Sequence, residues 1–447
     1  MPCRLILMTG SLEKEAGHMM RRTGGFYRKL ALGFWLSAIA GGAFVWHLAY
    51  RAVPDQISML ENQKEEFSFS LPWRATLSSE SAEVSLGNES NIPGDEITVN
   101  SSEPFHVFAG KKGSYQMNLK FLGLIKLKEI QVDVVDTRYA IPCGSPIGIY
   151  LKSQGVMVVG TGRITREDGR ETEPAFGKLK SGDYIEAFNG TPLSTKEDLV
   201  REVGKWNGGE ASLTIRRRGE NMEVALSPVK GEDGSYKLGA WVRDDTQGIG
   251  TITYVDPNGH FGALGHGISD SDTGELVEIE TGALYTAKIM GVEKGEAGKP
   301  GLLSGVIYYG PQSCRGEITA NTEDGIFGMV DQQLKKQIQG EPMEVARCQE
   351  VKPGPAVIRT AVSGEVKDYT VEIQKVDQSP SKRNKAMVLK VTDPELLSLT
   401  GGIVQGLSGT PILQNGKLAG AVTHVFVQDP SRGYGILADD MMKYGEE

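Results

Sequence analysis

From Leu30 to Tyr50 (LALGFWLSAIAGGAFVWHLAY) the chain runs for 21 residues without a formal charge. Such a segment has to be surrounded by hydrocarbon or by a protein interior. As a helix rising about 1.5 Å per residue it reaches roughly 30 Å, the thickness of one bilayer core. Tyr27, Trp35, Trp46 and Tyr50 fall towards its ends, where amphipathic rings favour the interface. Arg21, Arg22, Arg28 and Lys29 precede it, and only Arg51 follows closely. That bias predicts a cytoplasmic N-terminus over residues 1–29, a transmembrane helix over 30–50, and everything after Arg51 outside. A cleaved signal peptide is the competing reading. The run is longer than a usual signal core and AYRAVPD is a poor small-residue cleavage site, which favours an uncleaved anchor. His47 reads as an interfacial side chain snorkelling to the head groups.

Charge divides the chain at the same place. Residues 1–51 hold seven Lys/Arg and two Glu, a net of +5, so the remainder carries -9 - 5 = -14. An acidic body without a concentrated basic face argues against nucleic acid as a partner. Glycine is abundant, 57 of 447 residues, nearly twice the usual share of about 7%. With no strict glycine period, that excess predicts short strands joined by tight turns. Of four cysteines, Cys3 falls inside and Cys143, Cys314 and Cys348 outside. An odd outside count forbids complete pairing, and a Cys314–Cys348 bridge stays open. No Cys/His cluster has metal-ligand spacing, so neither a metal nor an organic cofactor is expected.

Past the anchor, residues 51–94 (NQKEE, SSESAE, GNESNIPGDE) are polar and aperiodic and read as a linker. Period-two alternation marks a small β unit over 95–137. A second unit, 138–230, contains PIGIYL, GVMVVGTGRI, then GKLKSGDYIEAFNGTPL. Gly182–Asp183 and Asn189–Gly190 suit tight turns, the second with positive φ, and Thr195 to Trp206 has an amphipathic helical pattern. The pattern looks like a PDZ domain of the bacterial protease type. In such domains the loop before the second strand offers backbone N–H groups to a peptide's terminal carboxylate, and the peptide extends the sheet edge. Pro146, Ile147, Gly148 and Ile149 occupy that place here.

The third unit, 239–447, carries the residues suited to chemistry. IVQGLSGTPILQNGKLAGAVTHVF places Ser408 in a Gly-x-Ser-Gly-x-Pro turn, followed by a strand, the Asn415–Gly416 turn and a second strand. This is how chymotrypsin-like proteases present a nucleophile. Flanking glycines expose Oγ and let the backbone amides of Gly406 and Ser408 converge where an oxyanion would develop. A serine hydroxyl needs an adjacent base. Among the six histidines, His266, between Gly265 and Gly267 after the strand-like FGAL, is the strongest candidate. His260 is in reserve, and His424, mid-strand, reads as a core or pocket-wall histidine. For the acid that would orient the base, Asp393, Asp270, Asp272 and Asp331 are candidates. On the residues alone Asp393, followed by Pro394, reads first as the cap of the helix PELLSLT.

FGALGHGISD, IVQGLSGTPILQNGKLAGAVTHVFVQDPSRGYGI, the PDZ-like unit and the anchor together resemble the stage IV sporulation protein B family of endospore-forming bacteria. The likeness extends from about Phe121 to the C-terminus. It implies a serine endopeptidase of the PA clan, mainly β, with a chymotrypsin-like double β-barrel, and His266, Ser408 and Asp393 as base, nucleophile and acid. It also implies a signalling protease that crosses the inner forespore membrane and acts in the intermembrane space. Such a protease cleaves itself near its N-terminal region and then cuts a membrane regulator of an intramembrane metalloprotease, which leads to processing of a sigma-factor precursor. Two rivals remain. One is an envelope-stress serine protease, in which the PDZ domain would follow the protease. The other is a non-catalytic PDZ scaffold that sequesters a partner's C-terminus.

Overall fold

The computed structural model describes residues 32–69, 71–87, 95–99, 104–338, 340–377 and 381–445; the expected cytoplasmic segment 1–29 lies outside them. The chain falls into two compact units, 1–135 and 136–447.

The first unit opens with one apolar helix, Leu32–Ala52, long and apolar enough to cross a membrane. Most of its large side chains are exposed, Phe34 and Trp35 among them. Its C-terminal end docks on the strands that follow: Trp46 stacks on Trp73 at 6.4 Å and meets Phe121 edge-on. The Lys128 ammonium donates to the carbonyls of Tyr50 and Val53 at 3.2 and 2.6 Å, a cation placed where the helix leaves its last carbonyls unpaired.

The expected linker over 51–94 is corrected by this structure. Strands Gln56–Leu60, Gln63–Phe67, Ala75–Ser79 and Val84–Gly87 lie within it, and they share one core with the later strands. Their pattern was hard to read because the strands are short and their partners distant. Gln56–Leu60 pairs in parallel with Gln131–Val135, and Ala75–Ser79 pairs with Met117–Phe121. Gln63–Phe67 is polar along most of its length because it buries little besides Phe67.

In the second unit two six-stranded rings close. The C-terminal ring is a barrel of Gly354–Thr360, Lys367–Val376, Met387–Val391, Asp429–Leu437, Lys417–Phe426 and Pro411–Gln414. The other ring runs Pro146–Thr161, Ile279–Glu293, Cys314–Thr322, Gly325–Val330, His260–Ala263 and Ala240–Val255. It shuts because the first and last of these also pair with each other. Ile147, Ile149, Leu151, Phe261, Leu284 and Ile318 are buried together in one cluster drawn from these strands. Asn415 and Gly416 both take positive φ, as the hairpin turn of the second barrel requires.

Pro146–Thr161 and Ala240–Val255, each 16 residues long, run through two sheets. Their outer halves, Pro146–Lys152 and Asp245–Thr251, belong to the first barrel. Their inner halves, with Tyr184–Phe188, Ala211–Arg217 and Glu220–Leu226, build a separate sheet. This sheet has its own core, including Val156, Phe188 and Leu213, against the helix Lys196–Gly204, capped by Thr195. The PDZ-like segment is therefore an insertion within a barrel, between positions 152 and 245. The expected boundaries at 138, 230 and 239 are corrected accordingly.

The placement of Pro146, Ile147, Gly148 and Ile149 as a peptide-accepting loop is corrected as well. They form a barrel strand paired on one side with Ile249–Thr251 and Gly248, and on the other with Leu284–Thr286. Both edges are spent, so no peptide can add there. The run PIGIYLKSQGVMVVGT looks uniform in sequence. The break is a register shift between Lys152 and Met157, where Gly155 adopts φ +87°. Among the described residues no disulfide joins Cys143, Cys314 or Cys348, which removes the Cys314–Cys348 bridge.

Candidate active site

Beyond Ala263 the chain turns sharply: Leu264 and Gly265 both have φ of +68°, and His266 follows directly. A Cβ on Gly267 would lie 2.4 Å from the Thr322 carbonyl oxygen and 2.2 Å from Leu276, so only glycine fits after the histidine. His266 Nδ1 lies 2.8 Å from the Gly267 carbonyl oxygen. A carbonyl can only accept, so Nδ1 carries the proton and Nε2 keeps its lone pair. Burial pushes the His266 imidazole below the ordinary histidine range, with the bond to Gly267 opposing that shift. A neutral His266 with a free Nε2 is the form a general base needs.

Ser408 approaches from the second barrel. Its Oγ donates to the Thr423 carbonyl at 2.8 Å, and its own carbonyl accepts from the Thr251 amide at 3.1 Å. Thr251 Oγ1 donates to the Gly406 carbonyl at 3.0 Å, and Thr253 Oγ1 to the Gly409 carbonyl at 2.7 Å. The Ala240–Val255 strand thus grips the serine turn at three points. Those carbonyls are turned towards it, and among the described residues neither the Gly406 nor the Ser408 amide donates a hydrogen bond. Two undonated amides beside a serine hydroxyl are the donor set an oxyanion requires.

His266 and Ser408, separated by 142 positions, line one cleft of about 470 Å³ together with Gly406, Thr423 and His424. His424, read from sequence as a core or pocket-wall residue, is a wall of this site: its ring centroid is 5.0 Å from that of His266, and its buried Nδ1 has no partner among the described residues. Burial, then the neighbouring His266, Lys385 and Lys382, lower its pKa to about 4. It is neutral wherever a serine–histidine pair would work. Strand alternation carried no sign of this, since its ring meets a partner 158 positions upstream.

Asp393 is not brought to the pair. Its Oδ1 accepts from the amides of Glu395 and Leu396 at 2.9 and 3.1 Å, and its Oδ2 from the Thr370 amide at 3.2 Å. It caps the helix Pro394–Thr400 and is absent from the cleft lining. The other candidate acids are also engaged elsewhere. Asp270 and Asp272 pair with Arg243, and Asp331 caps the helix Gln332–Gln337. His260 pairs with Asp256 at 3.0 Å. No carboxylate among the described residues bonds His266, and the Gly267 carbonyl holds its tautomer instead.

Asp393→Ala should therefore cost about 1 kcal/mol of stability, the usual worth of an N-cap, seen as a melting temperature lower by a few degrees. The kcat/KM for a peptide should stay within about threefold of the parent. A fall of the order of 10⁴, which loss of a triad acid produces, would restore Asp393 to the site.

Residues 234–442 match the family model described as SpoIVB peptidase S55. Over 67 residues the chain is 39% identical to a Lactococcus lactis protein named "Putative zinc metalloprotease LL2128", a match covering 15% of each chain. Among solved structures it is similar to an inactive form of a serine-to-alanine variant of Rv3671c from M. tuberculosis. That likeness has 13% identity and a TM-score of 0.23, over 44% of this chain and 78% of the other. It is also similar to the Rv3671c protease in an inactive form, at 15% identity and a TM-score of 0.23, over 44% and 83%. The family match spans His266, Ser408 and the two undonated amides, and over residues 234–442 the chain is similar to the serine peptidases of the SpoIVB peptidase S55 family.

Proposed function

We propose that the chain is a membrane-anchored serine endopeptidase in which Ser408 is the nucleophile and His266 the base. Ser408 Oγ leaves the Thr423 carbonyl and passes its proton to His266 Nε2 as it attacks the scissile carbonyl. The amides of Gly406 and Ser408 receive the oxyanion, and the Gly267 carbonyl holds the imidazolium through Nδ1–H. The imidazolium returns its proton to the leaving amine, and water then releases the acyl group by the same route reversed. The observation that carries this reading is the meeting, in one cleft, of a histidine with a free Nε2, a serine hydroxyl and two undonated amides.

The resemblance extends the proposal to biology. The helix anchors the chain with its N-terminus cytoplasmic and its peptidase in the forespore intermembrane space. The enzyme cleaves itself between the anchor and the peptidase, then cuts a membrane regulator of an intramembrane metalloprotease, and sigma-factor processing follows. The PDZ-like insertion recognises the target. Its docking edge would be Ala240–Arg243, which pairs on one side only and leads towards the helix Lys196–Gly204.

A fluorophosphonate probe tests the chemistry. The full chain should label, and Ser408→Ala should not. Because burial lowers the His266 pKa, protonation there removes the base only below the ordinary value of about 6.5. The labelling rate should therefore hold as pH falls through 6.5 and drop at lower pH. Absence of labelling leaves the PDZ scaffold reading in its place.

A further inference from the structure

The cleft also constrains what can be cut, an inference that rests on Ser408 being the nucleophile. A carbonyl oxygen held by the Gly406 and Ser408 amides, with its carbon in reach of Oγ, leaves little choice for the attached side chain. It must fall between the segment entering the serine turn, Ile403–Gln405, and the strand continuing past Thr423, where Val425 and Val427 line the same cleft. These walls are mainly aliphatic, with Gln405 and the neutral His424 the polar side chains on them among the described residues. Gly433, on the next strand, has no side chain, and a Cβ there would stand 2.6 Å from Ile403 Cδ1, so the Ile403 side chain occupies the space beside it.

Among the described residues, none that lines the cleft is Asp, Glu, Lys or Arg. The cations nearest His424 have other positions: Lys385 Nζ sits over the Tyr434 ring at 5.1 Å, and neither Lys385 nor Lys382 reaches the lining. A charged side chain entering such walls would lose its water without gaining a counter-ion. A long aromatic would meet Ile403.

We propose that this peptidase cleaves after an uncharged aliphatic residue of valine or leucine size. Ile403, Val404 and Val425 set that choice.

The test uses the full chain and peptidyl phosphonates that differ only in the side chain beside the reactive phosphorus, with a plain fluorophosphonate as reference. The valine and leucine reagents should inactivate at least about 100-fold faster than those carrying lysine or glutamate, the scale on which a pocket discriminates by differential burial. The phenylalanine reagent should be slower than leucine. If the plain probe labels Ser408 while lysine or glutamate reagents react as fast as leucine, the pocket assignment is overturned and the nucleophile stands. If the plain probe fails as well, the nucleophile reading falls and the aliphatic pocket falls with it.

Discussion

Ser408→Ala should lower the rate of peptide cleavage by roughly 10⁶, the loss seen when a serine–histidine unit is broken at the nucleophile, with melting changed by no more than a few degrees. The two effects separate because Oγ makes one structural bond, to the Thr423 carbonyl, worth about 1 kcal/mol. The turn itself is held by backbone and by Thr251 and Thr253. Measuring turnover of a leucine-containing peptide alongside thermal melting checks both. Cleavage retained in this variant would remove Ser408 as nucleophile. A collapse of melting would mean that the hydroxyl was a structural group.

Gly409→Ala, one residue along, should do the opposite and destroy the fold. Gly409 has φ of +91°, and a Cβ there would lie 2.1 Å from the Thr251 carbonyl oxygen and 2.5 Å from the Leu264 amide nitrogen. Both neighbours are backbone, one on the strand that grips the serine turn and the other on the turn that delivers His266. Neither can yield without moving Ser408 or His266. The left-handed conformation alone costs an alanine about 1–2 kcal/mol, and the clash adds to it, so a total above about 4 kcal/mol is expected. The variant should show no cooperative melting transition at the temperature of the parent. A well-folded Gly409→Ala protein would mean that the two barrels do not meet as closely as described.

Much of the site was legible because its residues carry local requirements. A histidine between two glycines and a serine in a glycine turn are patterns whose reason is steric, and the structure brings His266 and Ser408 to one cleft. Asp393 shows the limit. The same residue before the same proline serves a cap or a triad, and only the position of its oxygens, on the amides of Glu395, Leu396 and Thr370, separates the two. His424 was legible as a core or pocket-wall histidine, but its contact with His266 was not, because a ring contact leaves no mark on alternation along a strand.

The fold divides in the same way. The apolar helix, the β character and the Asn189–Gly190 and Asn415–Gly416 turns follow from composition and short-range sterics, and the chain states them directly. Which strands belong together was decided in three dimensions. Pro146–Ile149 became a wall of the first barrel instead of a peptide-binding edge, and the short strands Gln56–Leu60 and Ala75–Ser79 found partners far downstream. An alternating segment specifies that it will pair and which face it buries. Its partner is chosen by the hydrogen bonds left open elsewhere in the chain, and those exist only once the chain has folded.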